Sequence, residues 1–214
     1  MNKLLNSWYD DLRKEIKENK VNYCDYSRRN FVDSGITKIS FNKLVELSGV
    51  KVVLKENEHE NRIRLKLKSK VKAWMPTLAH IKISQKGKKP ELDRIGISLK
   101  TQKIRNNKRD LTVMLLHEIA HGLLHRKKYK NCCYRDEIEA QSISHLVCKY
   151  LGLEEKVSSS FINHIMIRSR KYHKKYKGKE KRIRKSKIIQ TSKKIIECLE
   201  QNKIIYKEFF SKNT

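Results

Sequence analysis

No two cysteines are spaced as CxxC, and there are only five in all: Cys24, Cys132, Cys133, Cys148 and Cys198. An odd, irregular set of this kind builds neither a disulfide framework, a zinc knuckle nor a redox motif, so these are read as reduced thiols of a cytoplasmic protein. Long apolar runs are also missing. No stretch approaches the ~18 apolar residues of a membrane span, and the opening MNKLLNSWYDDLRKEIKENK lacks the sustained apolar segment of a signal peptide. Export and membrane insertion are therefore not expected. Acidic residues are scarce: 23 Asp plus Glu stand against 51 Lys plus Arg, a formal net charge of +28. Solubility alone does not ask for so much, and a polyanion such as nucleic acid is the natural partner, although a lysine-rich composition would give the same figure. Oxygen ligands are not clustered as a Mg²⁺-dependent nuclease needs.

What is present reads first as an amphipathic helix over 3–17, with Leu4, Leu5, Trp8, Tyr9, Leu12 and Ile16 at helical spacing. After a polar connector, Ser40 can cap a short helix through Leu47, and Gly49 can end it before a strand from Val50 to Leu54. From Arg62 to Ala73 apolar and basic residues alternate: Ile63, Leu65, Leu67, Val71 and Ala73 on one side, Arg62, Arg64, Lys66, Lys68, Lys70 and Lys72 on the other. That pattern predicts a strand with a cationic face. Ala79 to Ser84 and Arg94 to Leu99 are further strands, joined by a loop with Gly87 and Pro90. A helix capped by Asp110 is apolar nearly all round through Leu124, which predicts burial. A second helix runs from Asp136 to Leu151 and stops at Gly152, and a closing amphipathic helix carries Ile188, Ile195, Ile196 and Leu199.

The chemistry lies in His117-Glu118-Ile119-Ala120-His121. Residues four apart in a helix share a face one turn apart, so two imidazoles can meet one metal at ~2.0–2.1 Å. Glu118 sits between them on the same rim, where a carboxylate can take a proton from water. Two histidines and a glutamate in an otherwise apolar helix would be costly to bury without a purpose. A catalytic zinc needs a third protein ligand. His125 lies two turns from His117, and at ~1.5 Å per residue the two are ~12 Å apart, too far to share one ion. The longer pattern HExxHxxGxxH is absent. On the second helix, Glu139 falls at the angle of Ile143, Leu146 and Tyr150 and so faces inward, whereas Glu137 projects to the polar side. Glu139 is the predicted third ligand. Its alternative role is a buried ion pair with Arg135 or a lysine. For the group that stabilises the oxyanion, Tyr134, His145, Tyr150 and His164 remain open.

At HEIAHGLLH and the following DEIEAQSISHLVCKYLGL, the sequence resembles the ImmA/IrrE family of zinc metallopeptidases over Ile95 to about Ile167. The resemblance implies Zn²⁺ as cofactor and agrees with Glu139 at the Glu-Ala step, with Glu137 as the alternative. It also implies an α+β, zincin-like fold: a small mixed or antiparallel sheet packed on a buried HExxH helix, with a basic helical C-terminal extension. The expected domain is then 1–167, with N-terminal helix and sheet over 1–100 and active-site helices over 110–152, followed by a basic segment and closing helix over 168–214. The implied activity is endopeptidase cleavage of a protein substrate such as a DNA-bound repressor. The other reading is a nucleic-acid-binding protein whose zinc site is structural or inactive, but a purely structural site has no use for Glu118. Nucleic acid would meet the basic strand face and the segment Arg168, Arg170, Lys171, Tyr172, Lys174, Lys175 and Tyr176, where cations interleave with stacking aromatics.

Overall fold

The computed structural model describes residues 1–18, 39–55, 79–86, 89–98, 108–125, 134–153, 162 and 183–210. Helix α1 (Asn2–Glu18) buries Leu5, Tyr9, Leu12 and Ile16 at steps of three and four, while Leu4 stays outside the packed stripe at 44% exposure. Helix α2 (Phe41–Ser48) starts where Ser40 Oγ accepts the Lys43 N–H at 3.2 Å, and ends at Gly49, whose φ of 69° suits a residue without Cβ.

Three strands follow: β1 (Lys51–Lys55), β2 (Ala79–Lys86) and β3 (Lys89–Ser98), in the order β1-β3-β2. β1 runs parallel to β3, from Lys51↔Arg94 to Lys55↔Ser98, and β2 runs antiparallel to it, with an irregularity at Lys82/Ile83. Pro90 belongs to β3 rather than to the expected loop, opposite Gln85. Among the described residues β1 reaches β3 only from Arg94 onward, so at Pro90 no described strand offers a ladder on the other side for a missing N–H to break. The alternating segment from Arg62 to Ala73 lies outside the described residues.

Four helices complete the described chain: α3 (Lys108–Leu124), α4 (Tyr134–Tyr150), α5 (Lys185–Glu200) and α6 (Ile205–Phe210). α3 begins two residues before Asp110, which therefore sits in its first turn instead of capping it. α4 stops as expected at Gly152 (φ 77°), where Gly152 N–H reaches Lys149 O at 3.2 Å and Leu153 N–H reaches Cys148 O at 2.8 Å.

The expected architecture of a sheet packed on the HExxH helix is corrected by these elements. The described residues form six helices against three strands, and among those whose side chains are described Ile95 is the one strand residue in the buried core. Leu115, Leu116, Ile119 and Ala120 of α3 share that core with Leu44 and Leu47 of α2, Ile143, Leu146 and Val147 of α4, and Ile195 and Ile196 of α5. The physical reason is the number of apolar stripes with period 3.6: those of α1, α2 and α5 all need cover, and α3 and α4, apolar on several sides, supply it. Nor is the closing helix an extension, because Ile188, Ile195, Ile196 and Leu199 of α5 and Ile205 and Tyr206 of α6 are integral to the core. Among the described residues, no helix is long and apolar enough to cross a membrane.

Candidate metal centre

Helices α3 and α4 lie side by side in opposite directions, as three bonds along their seam show. Ser144 Oγ donates to Val113 O at 3.0 Å, His117 Nδ1 meets Gln141 Oε1 at 2.9 Å, and Glu137 lies against His121. The seam brings together what the spacing predicts, and one residue more. His121 Nε2 is 3.0 Å from His117 Nε2, and the Glu137 carboxylate is 3.4 Å from each of these nitrogens. All three ligand atoms lie within 4.8 Å of one another. His121 is buried, His117 nearly so, and Glu137 is 33% exposed. The cluster thus opens to solvent on the side of Glu137.

Glu139, the predicted third ligand, is fully buried but points elsewhere. Its Oε2 lies 3.1 Å from His125 Nε2 and accepts from Arg184 Nη2 at 2.5 Å. Arg135, the partner foreseen in the alternative role, is farther away at 3.8 Å. The angular argument found the apolar face correctly, since Glu139 shares it with Ile143 and Leu146, all buried. It failed on which face meets α3. α4 is enclosed on several sides, and the stripe along α3 is the polar one: Glu137, Gln141 and Ser144, at steps of four and three. In a helical hairpin, positions equidistant from the middle of the connection face each other, and with α3 ending at Leu124 and α4 starting at Tyr134 this pairs His121 with Glu137 and His117 with Gln141, whereas the expected start at Asp136 pairs His121 with Glu139.

The charges follow from burial and proximity. Burial raises the Glu118 carboxyl, the neighbouring His117 opposes this and the Glu137 charge adds to it, leaving it at about 7. Burial also raises Glu137, but hydrogen bonds from His117 and His121 outweigh that and hold it well below the ordinary carboxylate range. His121 is lowered, chiefly by burial. For His117 burial acts in the same sense, yet the hydrogen bond and charge of Glu137 win and the net shift is upward. Glu139 is brought down to about 2, because bonds from His125 and Arg184 exceed the cost of its burial.

Of the oxyanion candidates, Tyr150 donates to Glu200 from the far end of α4, roughly 20 Å of helix from Glu137. His145 is buried two turns beyond Glu137. The side chains of Tyr134 and His164 are outside the described residues, as are Arg62, Arg64, Lys66, Lys68, Lys70 and Lys72 of the basic strand and Arg168, Arg170, Lys171, Tyr172, Lys174, Lys175 and Tyr176 of the basic tail. No family model matches this chain, and neither does any curated protein or solved structure.

Proposed function

We propose that this chain is a zinc-dependent endopeptidase, with His117, His121 and Glu137 as metal ligands and Glu118 as general base. The observation that supports this best is that Nε2 of His117, Nε2 of His121 and a Glu137 carboxylate oxygen lie within 4.8 Å of one another, with 3.0 Å between the imidazoles, Glu137 Oε2 3.4 Å from His117 and Oε1 3.4 Å from His121. Ligands at ~2.0–2.1 Å around a tetrahedral ion stand ~3.3–3.4 Å apart, so the three side chains are close enough to share one ion and would leave a fourth position for water or substrate. Their chemistry fits as well. His117 Nδ1–H donates to Gln141 Oε1, which directs Nε2 to the Glu137 carboxylate. In the metal-free chain protons bridge these imidazoles and the carboxylate, and a cation would take the place of those protons.

Held by His117, His121 and Glu137, zinc would supply Lewis acidity toward a scissile carbonyl and lower the pKa of water. Glu118 takes the proton from the attacking water and returns it to the leaving amine. A carboxylate held near 7 is suited to both transfers, and a neighbouring cation pulls it lower. The exposed edge at Glu137 is the side from which a polypeptide would enter. The likeness of HEIAHGLLH to ImmA/IrrE peptidases favours a protein substrate such as a DNA-bound repressor. The buried thiols Cys148 and Cys198, which are not joined in disulfides, suit the cytoplasm.

The alternative, a nucleic-acid-binding protein with an inactive zinc site, is favoured by the net charge of +28. Metal analysis with activity on a repressor-type substrate separates the two. The wild type should hold about one zinc per chain, His121→Ala and Glu137→Gln should lose most of it, and Glu118→Gln should keep the metal and lose proteolysis. Wild-type cleavage by Glu118→Gln would refute the mechanism.

A further inference from the structure

Behind the two metal-facing imidazoles the hairpin buries a second group, His125, Asp136 and Glu139, whose ligand atoms also lie within 4.8 Å of one another. A cation is a poor occupant for it. Arg184 already engages Glu139 three times: its backbone N–H donates to Oε1 at 2.9 Å, Nε to Oε1 at 3.0 Å and Nη2 to Oε2 at 2.5 Å. Asp136 Oδ1 accepts from Arg135 Nε at 3.0 Å and Nη2 at 2.8 Å. A divalent ion would have to displace two guanidiniums from buried carboxylates, leaving each arginine without its partner.

The hydrogen bonds instead run in one direction, from Glu139 toward the metal centre. An ionised carboxylate only accepts, so His125 donates its Nε2–H to Glu139 Oε2 at 3.1 Å. An imidazole whose Nε2 carries the proton accepts at Nδ1, and this atom lies 3.1 Å from His121 Nδ1. When His121 donates to it from Nδ1, the Nε2 of His121, which in the metal-free chain shares a proton with Glu137, can give its lone pair to a metal.

We propose that Arg184, Glu139 and His125 form a positioning relay that fixes the tautomer and ring orientation of His121 for binding a divalent metal. The proposal rests on the zinc reading above and adds to it. Arg184 immediately precedes α5, so the relay couples a metal ligand in the middle of the chain to the closing helix. It also gives the buried Glu139 a task that a third ligand would not explain. Outer partners of metal-bound histidines of this sort set affinity as well as geometry.

The test uses the full chain, zinc affinity from competition with a chromophoric chelator, and the absorption spectrum of the Co²⁺-substituted protein. His125→Ala should bind zinc about 10- to 100-fold more weakly and shift the cobalt bands. His125→Asn, whose Oδ1 can accept from His121 Nδ1, should recover most of the affinity. Arg184→Gln, at a partly exposed position, should weaken zinc binding in the same direction and decides the matter if His125→Ala does not fold. Tyr206→Phe is the structural control: it removes a buried 3.0 Å hydrogen bond to Ile119 O on the same helix, and should lower thermal stability while leaving affinity and spectrum alone. Wild-type zinc affinity and cobalt spectrum in the folded relay variants would overturn the relay and leave the zinc reading standing. A wild-type chain that takes up no zinc would overturn the zinc reading, and the relay with it.

Discussion

Glu118 is under two opposing demands, which a single buried carboxyl cannot both satisfy. As the proposed base it would have to ionise near neutral pH, yet burial and the Glu137 charge oppose ionisation and hold it at about 7. In the unfolded chain it titrates near ~4.3. Between these values the folded protein binds the extra proton, so stability is fully present below the lower pH and is lost as pH rises through about 7. At about 1.4 kcal/mol per pH unit, this amounts to at most about 4 kcal/mol. In chelator-treated protein, Glu118→Gln should therefore flatten the fall in stability between about pH 5 and pH 8 and be the more stable form at the upper end, read by urea unfolding at both pH values. An unchanged pH slope in the variant would mean that Glu118 is not the strained group. At this scale the sequence was informative where chemistry depends on spacing within one helix: His117, Glu118 and His121 need no tertiary information to be brought together. The choice between Glu137 and Glu139 depended on which side of α4 meets α3, and hydrophobicity cannot report that for a helix buried on several sides.

Among the elements, those with local punctuation were legible. Ser40 and Gly49 bracket α2 as their chemistry requires, and Gly152 stops α4. Pro90 misled because a proline is disruptive only where a ladder bond is needed, and the neighbour of a strand is not written in its own residues. Gly49 offers a test of how far local punctuation has become tertiary structure. Its left-handed φ of 69° is strained for any L side chain, and an added Cβ would run into Ile204 Cγ2 in the segment leading to α6. Gly49→Ala should thus lose about 1–2 kcal/mol from the backbone and up to about 1–3 kcal/mol more from displacing Ile204. Ser40→Ala, which removes a single cap bond, should cost about 1 kcal/mol. Thermal melting of the two variants checks the order; equal losses would mean that α2 and the approach to α6 give way independently. The sheet-on-helix expectation came with the resemblance to zinc metallopeptidases, whereas the stripes of α1, α2 and α5 were in plain view and settled the described core.

For the whole molecule the dominant property is charge, and the +28 has no counterpart in the metal centre, where acids and histidines are balanced. The excess is concentrated where the sequence reading put it, in Arg62 to Lys72 and in Arg168 to Lys187, where Tyr172 and Tyr176 interleave with the cations. If these segments hold nucleic acid, contacts to phosphates position the chain and stacking on tyrosine adds affinity without demanding a sequence. A peptidase held near DNA in this way would meet DNA-bound substrates at high local concentration, and charge and catalysis would then serve one task. The competing account treats the tail as a solvated basic linker and the lysines of the strand as protection against edge pairing. A salt series decides between them, because each phosphate neutralised releases counterions: log affinity should fall with log salt at about −0.9 per contact on duplex and about −0.7 on single strands. Neutralising Arg168, Arg170, Lys171, Lys174 and Lys175 should flatten that slope while leaving the zinc content unchanged, since the proposed ligands lie on α3 and α4. No binding of DNA or RNA at ~50 mM salt, where electrostatic attraction is strong, would leave the charge as composition and separate the peptidase from any nucleic-acid partner.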